Sequence, residues 1–226
     1  MTTRVAVVGA TGSGKTTIAK LVTRLMDPTR GAVLLDGTDL RTVRTEDLRR
    51  RVVMVPQEGF LFDATLAENL VYGLRDGDDH AAPTPAEAEP RLRAALAELG
   101  LTDWVGELPS GLDTPVGQRG EALSAGERQL VALTRAYLAD ADLLVLDEAT
   151  SAVDPATEVR IARALDSLTT GRSTVTIAHR LSTAEAADLV VVVDAGRVVE
   201  FGAHEDLVAD DGVYAAMHRA WVAQTR

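Results

Sequence analysis

A glycine-rich octapeptide lies between two segments of different hydrophobic periodicity, and it constrains the fold more than any other stretch. Residues Gly9–Thr16 read GATGSGKT. The preceding Arg4–Val8 is a short β-branched run of the kind that forms a buried strand. The apolar residues that follow, from Ile18 to Leu25, have helical spacing and precede Pro28. This strand, loop and helix predict the start of an α/β domain.

Strand and helix patterns alternate along the rest of the chain. Strands are expected at Ala32–Leu35, Val52–Val55, Leu143–Leu146, Thr174–Ile177, Val190–Val193 and Arg197–Val199, the last two as a hairpin over Ala195 and Gly196. Helices are expected at Leu66–Leu70, Arg91–Leu99, after Ser124, at Pro155–Leu168 and at Val213–Val222. The acidic, proline-containing stretch Asp76–Pro90 is typical of a solvated loop. Such alternation predicts a mostly parallel sheet with helices on both faces.

Composition excludes several classes of function. The net charge of −11 argues against general nucleic-acid binding, which needs Lys and Arg to neutralise phosphates. The chain has no Cys, which excludes disulfides and thiolate metal sites. Apolar runs such as Leu189–Val193 are far shorter than the ~18 residues that span a bilayer. Any role at a membrane is therefore expected to come through a partner or through additional polypeptide.

The octapeptide matches the phosphate-binding pattern G-x-x-x-x-G-K-[ST]. Its glycines let backbone N–H groups wrap a phosphate, and the positive end of the following helix points at that phosphate. Lys15 is expected to reach the β- and γ-phosphates, and the Thr16 hydroxyl to bind Mg²⁺. The residues expected to contact the nucleotide are Gly9, Ala10, Thr11, Gly12, Ser13, Gly14, Lys15, Thr16 and Thr17.

Polar residues follow three other predicted strands. In LLVLDE, Asp147 and Glu148 end a strand, where one carboxylate can support Mg²⁺ and the other can orient or deprotonate water. Gln57 follows Val52–Val55, and His179 follows the strand at Thr174–Ile177. Each of the last two, taken alone, is more often an ordinary polar residue. The carboxyl ends of parallel strands nevertheless open onto one crevice, which gathers these positions together.

The stretch ALSAGERQL contains a predicted helix start. Ser124 and Glu127 form the S-x-x-E pattern of a capping box, in which each side chain accepts from the other residue's amide. A helix N-terminus that bears Ser and Gly is also a possible anion site. The residues Ser124–Glu127 are therefore interpreted both as a cap and as a candidate nucleotide contact.

Taken together and in order, these motifs resemble the nucleotide-binding domain of ATP-binding cassette (ABC) transporters. The resemblance covers nearly the whole chain. It rests on GATGSGKTT, VPQEGFLFDATLAEN, LSAGERQ, LLVLDEATSAVD and IAHR, which match the phosphate loop, Q-loop, signature, Walker B with D-loop, and switch histidine. The segments LFDATLAENLVYG and VVEFGAHEDLVADDGVYAAMHRAW look like those of exporter-type cassettes.

This resemblance implies a P-loop NTPase (RecA-like) α/β core at residues 1–62 and 137–226, with a helical signature subdomain at 63–136. It implies that Glu148 is the general base, that His179 contacts the γ-phosphate, and that Lys15 acts with them in catalysis. Thr16 and Asp147 would hold Mg²⁺, and Gln57 would contact Mg²⁺ or the attacking water, so the cofactors would be ATP and Mg²⁺. Ser124–Glu127 would complete the ATP site of a second subunit.

The partners implied are a transmembrane domain, contacted through the region 57–69, and a second nucleotide-binding domain in a homodimer or heterodimer, which Asp154 would contact. No nucleic-acid partner is expected, and the location would be the cytoplasmic face of the cell membrane. The alternatives are a soluble ABC ATPase of DNA repair or translation, and a non-hydrolysing dimerisation module. Intact Glu148 and His179 argue against the second alternative.

The chain departs from the family pattern in two places. No aromatic residue precedes Gly9, where family members have one that stacks on adenine. This departure suggests a fragment that lacks the first strands and the membrane domain. In the signature, Ala125 and Glu127 replace the usual Gly and Gln. An intact catalytic Glu beside an altered signature is a pattern of some heterodimeric exporters.

Overall fold

The structure, a computed structural model, describes residues 2–57, 59–74, 83–147, 153–178 and 180–224. The strands are β1 (Arg4–Val8), β2 (Leu34–Leu35), β3 (Thr38–Asp39), β4 (Val52–Val55), β5 (Leu143–Asp147), β6 (Ser173–Ile177), β7 (Leu189–Asp194) and β8 (Arg197–Gly202). The helices are α1 (Lys15–Val22), α2 (Thr45–Arg51), α3 (Leu66–Val71), α4 (Pro85–Glu98), α5 (Thr102–Glu107), α6 (Ala125–Leu138), α7 (Pro155–Thr169), α8 (Leu181–Glu185), α9 (His204–Ala209) and α10 (Val213–Gln224).

The chain divides into two compact units. The first consists of Met1–Leu48, Leu143–Ala149 and Gly171–Arg226, and the second of Arg49–Asp142 and Thr150–Thr170. The subdomain boundaries inferred from the resemblance, at 63 and 136, stay a prediction. Across the described ranges, every helix is too short or too polar to pass from one side of a lipid bilayer to the other.

The first unit is built on strands in the order β5-β6-β1-β7-β8. The strands from β5 to β7 are parallel, with Val5 of β1 in register with Val175 and Leu189 on either side. Only the β7–β8 pair in this set is antiparallel, joined by the tight turn at Ala195 and Gly196. The predicted mostly parallel sheet and the predicted hairpin are confirmed.

Alternate side chains of these strands build a core under three helices. Because successive residues of a strand point to opposite faces, Ala6 and Val8 of β1 share one face while Val7 points to the other. The first face packs with buried residues of α8, α9 and α10. The cluster comprises Ala6, Val8, Ala178, Ala184, Val190, Val192, Leu207 and Tyr214. It holds the last three helices of the chain against the sheet.

The second unit is mainly helical. Its helices α3, α4, α6 and α7 pack on one another, and α6 also packs on β4. Fully buried side chains of α3, α4, α5 and α6, and of Leu99 just after α4, form its core, including Leu66, Leu70, Leu92, Leu99, Trp104, Leu130 and Leu133. The 3₁₀ turns Gly111–Asp113 and Gln118–Gly120 lead from α5 to the start of α6.

The helix after the glycine-rich loop is shorter than its hydrophobic pattern predicts. The pattern extends to Leu25, but α1 ends at Val22. Arg24 adopts a left-handed conformation with φ of 52°, and the Leu25 amide donates to the Lys20 carbonyl at 2.8 Å. This geometry closes the helix end and turns Leu25 outward, so that it is 67% exposed. The predicted continuation of the helix to Leu25 was wrong.

The prediction of a loop over the second half of Asp76–Pro90 is also wrong, because α4 begins at Pro85. Thr84 and Glu87 form a capping box, and Pro85 occupies the first helical position, where a missing N–H costs nothing. The proline and acidic residues that suggested a loop belong instead to the start of this helix. Residues 75–82 lie outside the described ranges.

Candidate functional site

The glycine-rich loop joins β1 to α1 and is held in place by its own backbone. The Ser13 amide donates to the Ala10 carbonyl at 3.1 Å, and the Gly196 amide donates to the Ser13 carbonyl at 2.8 Å. At Gly9 the chain passes so near β7 that an added Cβ would overlap the Val193 carbonyl oxygen. The first glycine of the motif is therefore required by the close approach of two backbone segments.

Lys15 places a cation inside this loop. Its side chain is buried, and Nζ donates to the carbonyl oxygens of Gly9 at 2.8 Å and Ala10 at 2.9 Å. Burial lowers the pKa of Lys15 because it disfavours the charged form, and the negative charge of Asp147 partly opposes that shift. The loop therefore wraps a partly desolvated positive charge. The predicted contact of Lys15 with phosphates stays a prediction.

A buried hydroxyl lies beside this cation. Ser13 is 4% exposed, and among the described residues its Oγ has no hydrogen-bond partner. Buried polar atoms are almost always satisfied, so an orphan inside a loop of this kind indicates a polar ligand. No side-chain hydrogen bond caps the start of α1, whose N-cap residue is Gly14. Thr16 and Thr17, in the first turn, are exposed.

Asp147 is the last residue of β5 and is half-buried. It pairs in register with Ile177, the last residue of β6, so two strand ends are neighbours on one edge of the sheet. The effect of Asp147 on the pKa of Lys15 means that the carboxylate and the loop cation interact. Glu148 and His179, which follow these strands, lie outside the described residues, and their roles stay predictions.

The predicted capping box is present at the start of α6. The Ser124 amide donates to Glu127 Oε2 at 2.8 Å, and the Glu127 amide donates to Ser124 Oγ at 3.2 Å. Trp104, fully buried in α5, donates its indole N–H to Glu127 Oε1 at 3.1 Å. Burial opposes ionisation of Glu127, but the hydrogen bonds from Ser124 and Trp104 lower its pKa overall.

These contacts define the surroundings of Glu127, one of the two altered signature residues. Both carboxylate oxygens of Glu127 already accept hydrogen bonds from the same unit. The negative charge is thus partly neutralised by local donors. The partner Trp104 was not predicted, because nothing in the local sequence around it connects it with a residue 23 positions away.

Gly126, the second residue of α6, is packed against the start of α7. An added Cβ would lie 2.5 Å from Thr157 Cγ2 and 2.6 Å from Val153 Cγ1. Asp154 caps α7, since its Oδ1 accepts from the Thr157 amide at 2.9 Å. The glycine therefore has a packing role in this structure, and Asp154 has a capping role. Their predicted contacts with a second subunit stay predictions.

Gln57 follows β4 and is exposed, as expected for a residue just past a strand. The segment after it carries three exposed aromatic side chains in contact with one another. The Phe62 ring stacks on Tyr72 at 4.4 Å and meets the Phe60 ring edge-on at 5.2 Å. These rings form an exposed aromatic group on the surface of the second unit, and the predicted contact of this region with a partner stays a prediction.

Arg135 of α6 fastens this aromatic segment. Its guanidinium donates to the Asn69 carbonyl at 2.7 Å, to Asn69 Oδ1 at 2.7 Å and to the Phe60 carbonyl at 2.6 Å. It also lies over the Tyr72 ring, and burial lowers the pKa of Arg135 to about 10. The spacing of Arg135 in α6 gave no sign of this function, because its partners are 66 and 75 residues away.

Comparison with known proteins agrees with this geometry. The family profile described as ABC transporter matches residues 1–151. The ATP-dependent lipid A-core flippases of Alkalilimnicola ehrlichii and Ralstonia nicotianae are 49% and 46% identical over 215 residues, which cover 95% of this chain and 35% of each relative.

Among solved structures, a bacterial Atm1-family ABC exporter with ATP bound superposes with a TM-score of 0.83 and 41% identity. The match covers 99% of this chain and 37% of that one. The chain thus spans about a third of the length of the curated relatives it matches. By its fold, its phosphate-loop geometry and these matches, the chain belongs to the ABC transporter family.

Proposed function

We propose that this chain is an ATP-hydrolysing nucleotide-binding domain that powers export through a transmembrane partner. The observation that carries the proposal is the loop Gly9–Thr16, which surrounds the buried Lys15 ammonium and the unsatisfied Ser13 hydroxyl. A polyphosphate supplies the anion and the acceptors that these groups need. The similarity to exporters over nearly the whole chain supports the same conclusion.

The residues present fit Mg²⁺ as the cofactor of this reaction. Thr16 offers an exposed hydroxyl in the first turn of α1, and Asp147 offers a half-buried carboxylate that interacts with Lys15. Both are oxygen ligands, which Mg²⁺ prefers. When bound, the ion neutralises charge on the β- and γ-phosphates. Gln57 as a further Mg²⁺ contact rests on the resemblance alone.

Hydrolysis requires a group that activates water, and we assign this role to Glu148. In the sequence it follows Asp147 directly, at the carboxyl end of β5. A carboxylate at that point can accept a proton from water as it attacks the γ-phosphate. Lys15 holds the phosphates, and we assign contact with the γ-phosphate to His179.

The partners follow from the same proposal. A second nucleotide-binding domain would receive the Ser124–Glu127 end of α6, and a transmembrane domain would contact the aromatic segment that contains Phe60, Phe62 and Tyr72. We therefore propose that the domain lies on the cytoplasmic face of the membrane. The matched relatives are named as flippases or as an exporter, which favours transport over a soluble role in DNA repair or translation.

The test is ATP turnover by the purified chain, compared with the Glu148→Gln variant. We expect turnover to fall by about 10²–10⁴-fold, because the amide cannot accept the proton from water. ATP binding, measured by calorimetry, should remain. Glu98→Gln, which removes an exposed carboxylate of α4, is the matched control and should retain full turnover. Equal turnover in the wild type and in Glu148→Gln would refute the assigned base.

A further inference from the structure

Three side chains that commonly bind metals converge in the first unit, on helices that the nucleotide site does not use. Glu185 is the last residue of α8, His204 the first of α9, and His218 lies in the middle of α10. One possible ligand atom from each lies within 4.8 Å of the other two. Three separate helices thus bring two imidazoles and a carboxylate to one place.

His204 is oriented by a buried phenol. Its Nδ1 lies 2.7 Å from Tyr214 Oη, and the two rings meet edge-on. Tyr214 is fully buried, and burial raises its pKa to about 12, so the phenol stays neutral at ordinary pH. Metal binding at His204 Nε2 requires the tautomer in which Nδ1–H donates to Tyr214 Oη. In that tautomer the hydrogen bond would fix the ring, as outer partners do for other metal-binding histidines.

His218 and Glu185 face each other across a gap. His218 Nε2 and Glu185 Oε1 are 3.9 Å apart, longer than a hydrogen bond. Two atoms bound to one tetrahedral zinc ion lie roughly 3.4 Å apart, given bonds of about 2.1 Å. The three ligand atoms lie within 4.8 Å of one another, so binding requires shifts of up to about 1.4 Å. The side chain of Glu185 is 47% exposed and can supply part of this movement.

We propose that Glu185, His204 and His218 bind one divalent ion of the zinc type, with Tyr214 as a positioning residue for His204. Two imidazoles with one carboxylate favour Zn²⁺, Co²⁺ or Ni²⁺ over Mg²⁺, which prefers oxygen ligands. The ion is therefore distinct from the Mg²⁺ proposed for the nucleotide site. Its binding joins α8 to the two helices that end the described chain.

An ion bound at this site would link α8 to α9 and α10, and this link would stabilise the fold. These helices already pack on a common core through Ala184, Leu207 and Tyr214. Ligands from all three add a crosslink at the rim of that core, so zinc should stabilise the folded chain. α8 begins at Leu181, two positions after His179 in the sequence. The crosslink therefore restrains the helix that follows the proposed switch histidine.

The test is calorimetric titration of the full chain with zinc chloride. It uses protein freed of metals, excess Mg²⁺, no nucleotide, and a pH above the ordinary imidazole pKa. We expect one zinc per chain. Glu185→Gln and His218→Gln should each weaken binding by at least about 10–100-fold, the loss seen when groups around a metal are removed. Glu205→Gln removes an exposed neighbouring carboxylate and should bind as the wild type does.

Cobalt absorption and thermal unfolding provide the second readout. Co²⁺ should give visible bands typical of nitrogen and oxygen ligands in the wild type, and Glu185→Gln should lose them. The melting temperature should rise with zinc in the wild type and not in this variant. If His218→Gln fails to fold, Glu185→Gln decides the question, because Glu185 is exposed. Absence of zinc binding, or equal affinity in the wild type and Glu185→Gln, would overturn the proposal.

Discussion

Helices α1 and α6 begin in opposite ways. α1 has Gly14 as its N-cap with no side-chain hydrogen bond, and its first residue is the buried cation Lys15. α6 starts after Ser124, and its first turn is closed by the reciprocal hydrogen bonds of Ser124 and Glu127. Both helix starts carry the same partial positive charge from the macrodipole. Only α6 satisfies it with side chains of its own.

This difference separates a helix start that stabilises the fold, at α6, from one that can bind a ligand, at α1. The start of α6 is stabilised by a cap, a carboxylate and the Trp104 indole. The loop before α1 contains a partly desolvated cation and a hydroxyl with no hydrogen-bond partner among the described residues, both of which cost free energy in the folded chain. Binding of the proposed anion would offset that cost. We therefore expect substitutions at α1 to change function and substitutions at α6 to change stability.

Of the substitutions at these two helix starts, Lys15→Met is expected to have the largest effect. Lys15→Met removes the buried charge while keeping an apolar chain of similar length. ATP turnover should fall by about 10²–10³-fold, the typical loss when one preorganised electrostatic group is removed. The free energy of unfolding, measured with urea, should not show a loss of similar size, because the substitution also removes a charge whose burial is unfavourable. Unchanged turnover would show that the loop is only a turn.

A second prediction concerns the packing of α6. Gly126→Ala should destabilise the chain by about 1 kcal/mol, because overpacking against Thr157 and Val153 outweighs the gain in helix propensity. Gly106→Ala is the matched control, since an added Cβ in α5 meets nothing within 4 Å. That variant should gain about 0.5–1 kcal/mol. Equal urea midpoints for the two variants would contradict the packing role of Gly126.

Two serine substitutions test the comparison directly. Ser124→Ala should cost about 1 kcal/mol of unfolding free energy, because it removes the N-cap of α6. Ser13→Ala should be neutral or stabilising in the absence of nucleotide, since it removes a buried hydroxyl that has no partner among the described residues. Thermal unfolding of both variants, without nucleotide, measures the difference. A larger loss of thermal stability in Ser13→Ala than in Ser124→Ala would contradict our interpretation of the two helix starts.

The smallest effect is expected for Glu127→Gln, at about 0.5 kcal/mol near neutral pH. The pKa of Glu127 in the folded chain is lowered from its ordinary value of 4.5. The ionised carboxylate therefore stabilises the fold above that value, and this contribution is lost as pH falls through the lowered pKa. Urea unfolding of wild type and variant across this range should converge at acidic pH. A difference in unfolding free energy between wild type and variant that grows as the pH falls would contradict the direction of the pKa shift.

Several strand segments and the phosphate loop could be predicted because short-range patterns determine them. The β-branched run Arg4–Val8 is observed as predicted, and the GATGSGKT motif forms the expected loop before α1. The capping box at Ser124 was also correctly predicted, since its two partners are three residues apart. In each instance the interacting residues are close in sequence.

The features that were missed depend on contacts between distant residues or on backbone geometry. Trp104 reaches Glu127 across 23 positions, and Arg135 reaches Phe60 across 75. The end of α1 depends on the left-handed conformation of Arg24, which its residue type does not favour. The helix start at Pro85 was missed because the residue types that cap helices are also common in loops.

The contacts of Arg135 have a mechanical consequence. Its three hydrogen bonds join the middle of α6 to the backbone at Phe60 and to Asn69, while Asn69 also bonds to both backbone groups of Phe62. Arg135 therefore ties the backbone of the aromatic segment to the middle of α6 through one planar group. A displacement of the aromatic rings that kept these hydrogen bonds would have to carry α6, and with it the Ser124 end of the helix, along with the segment.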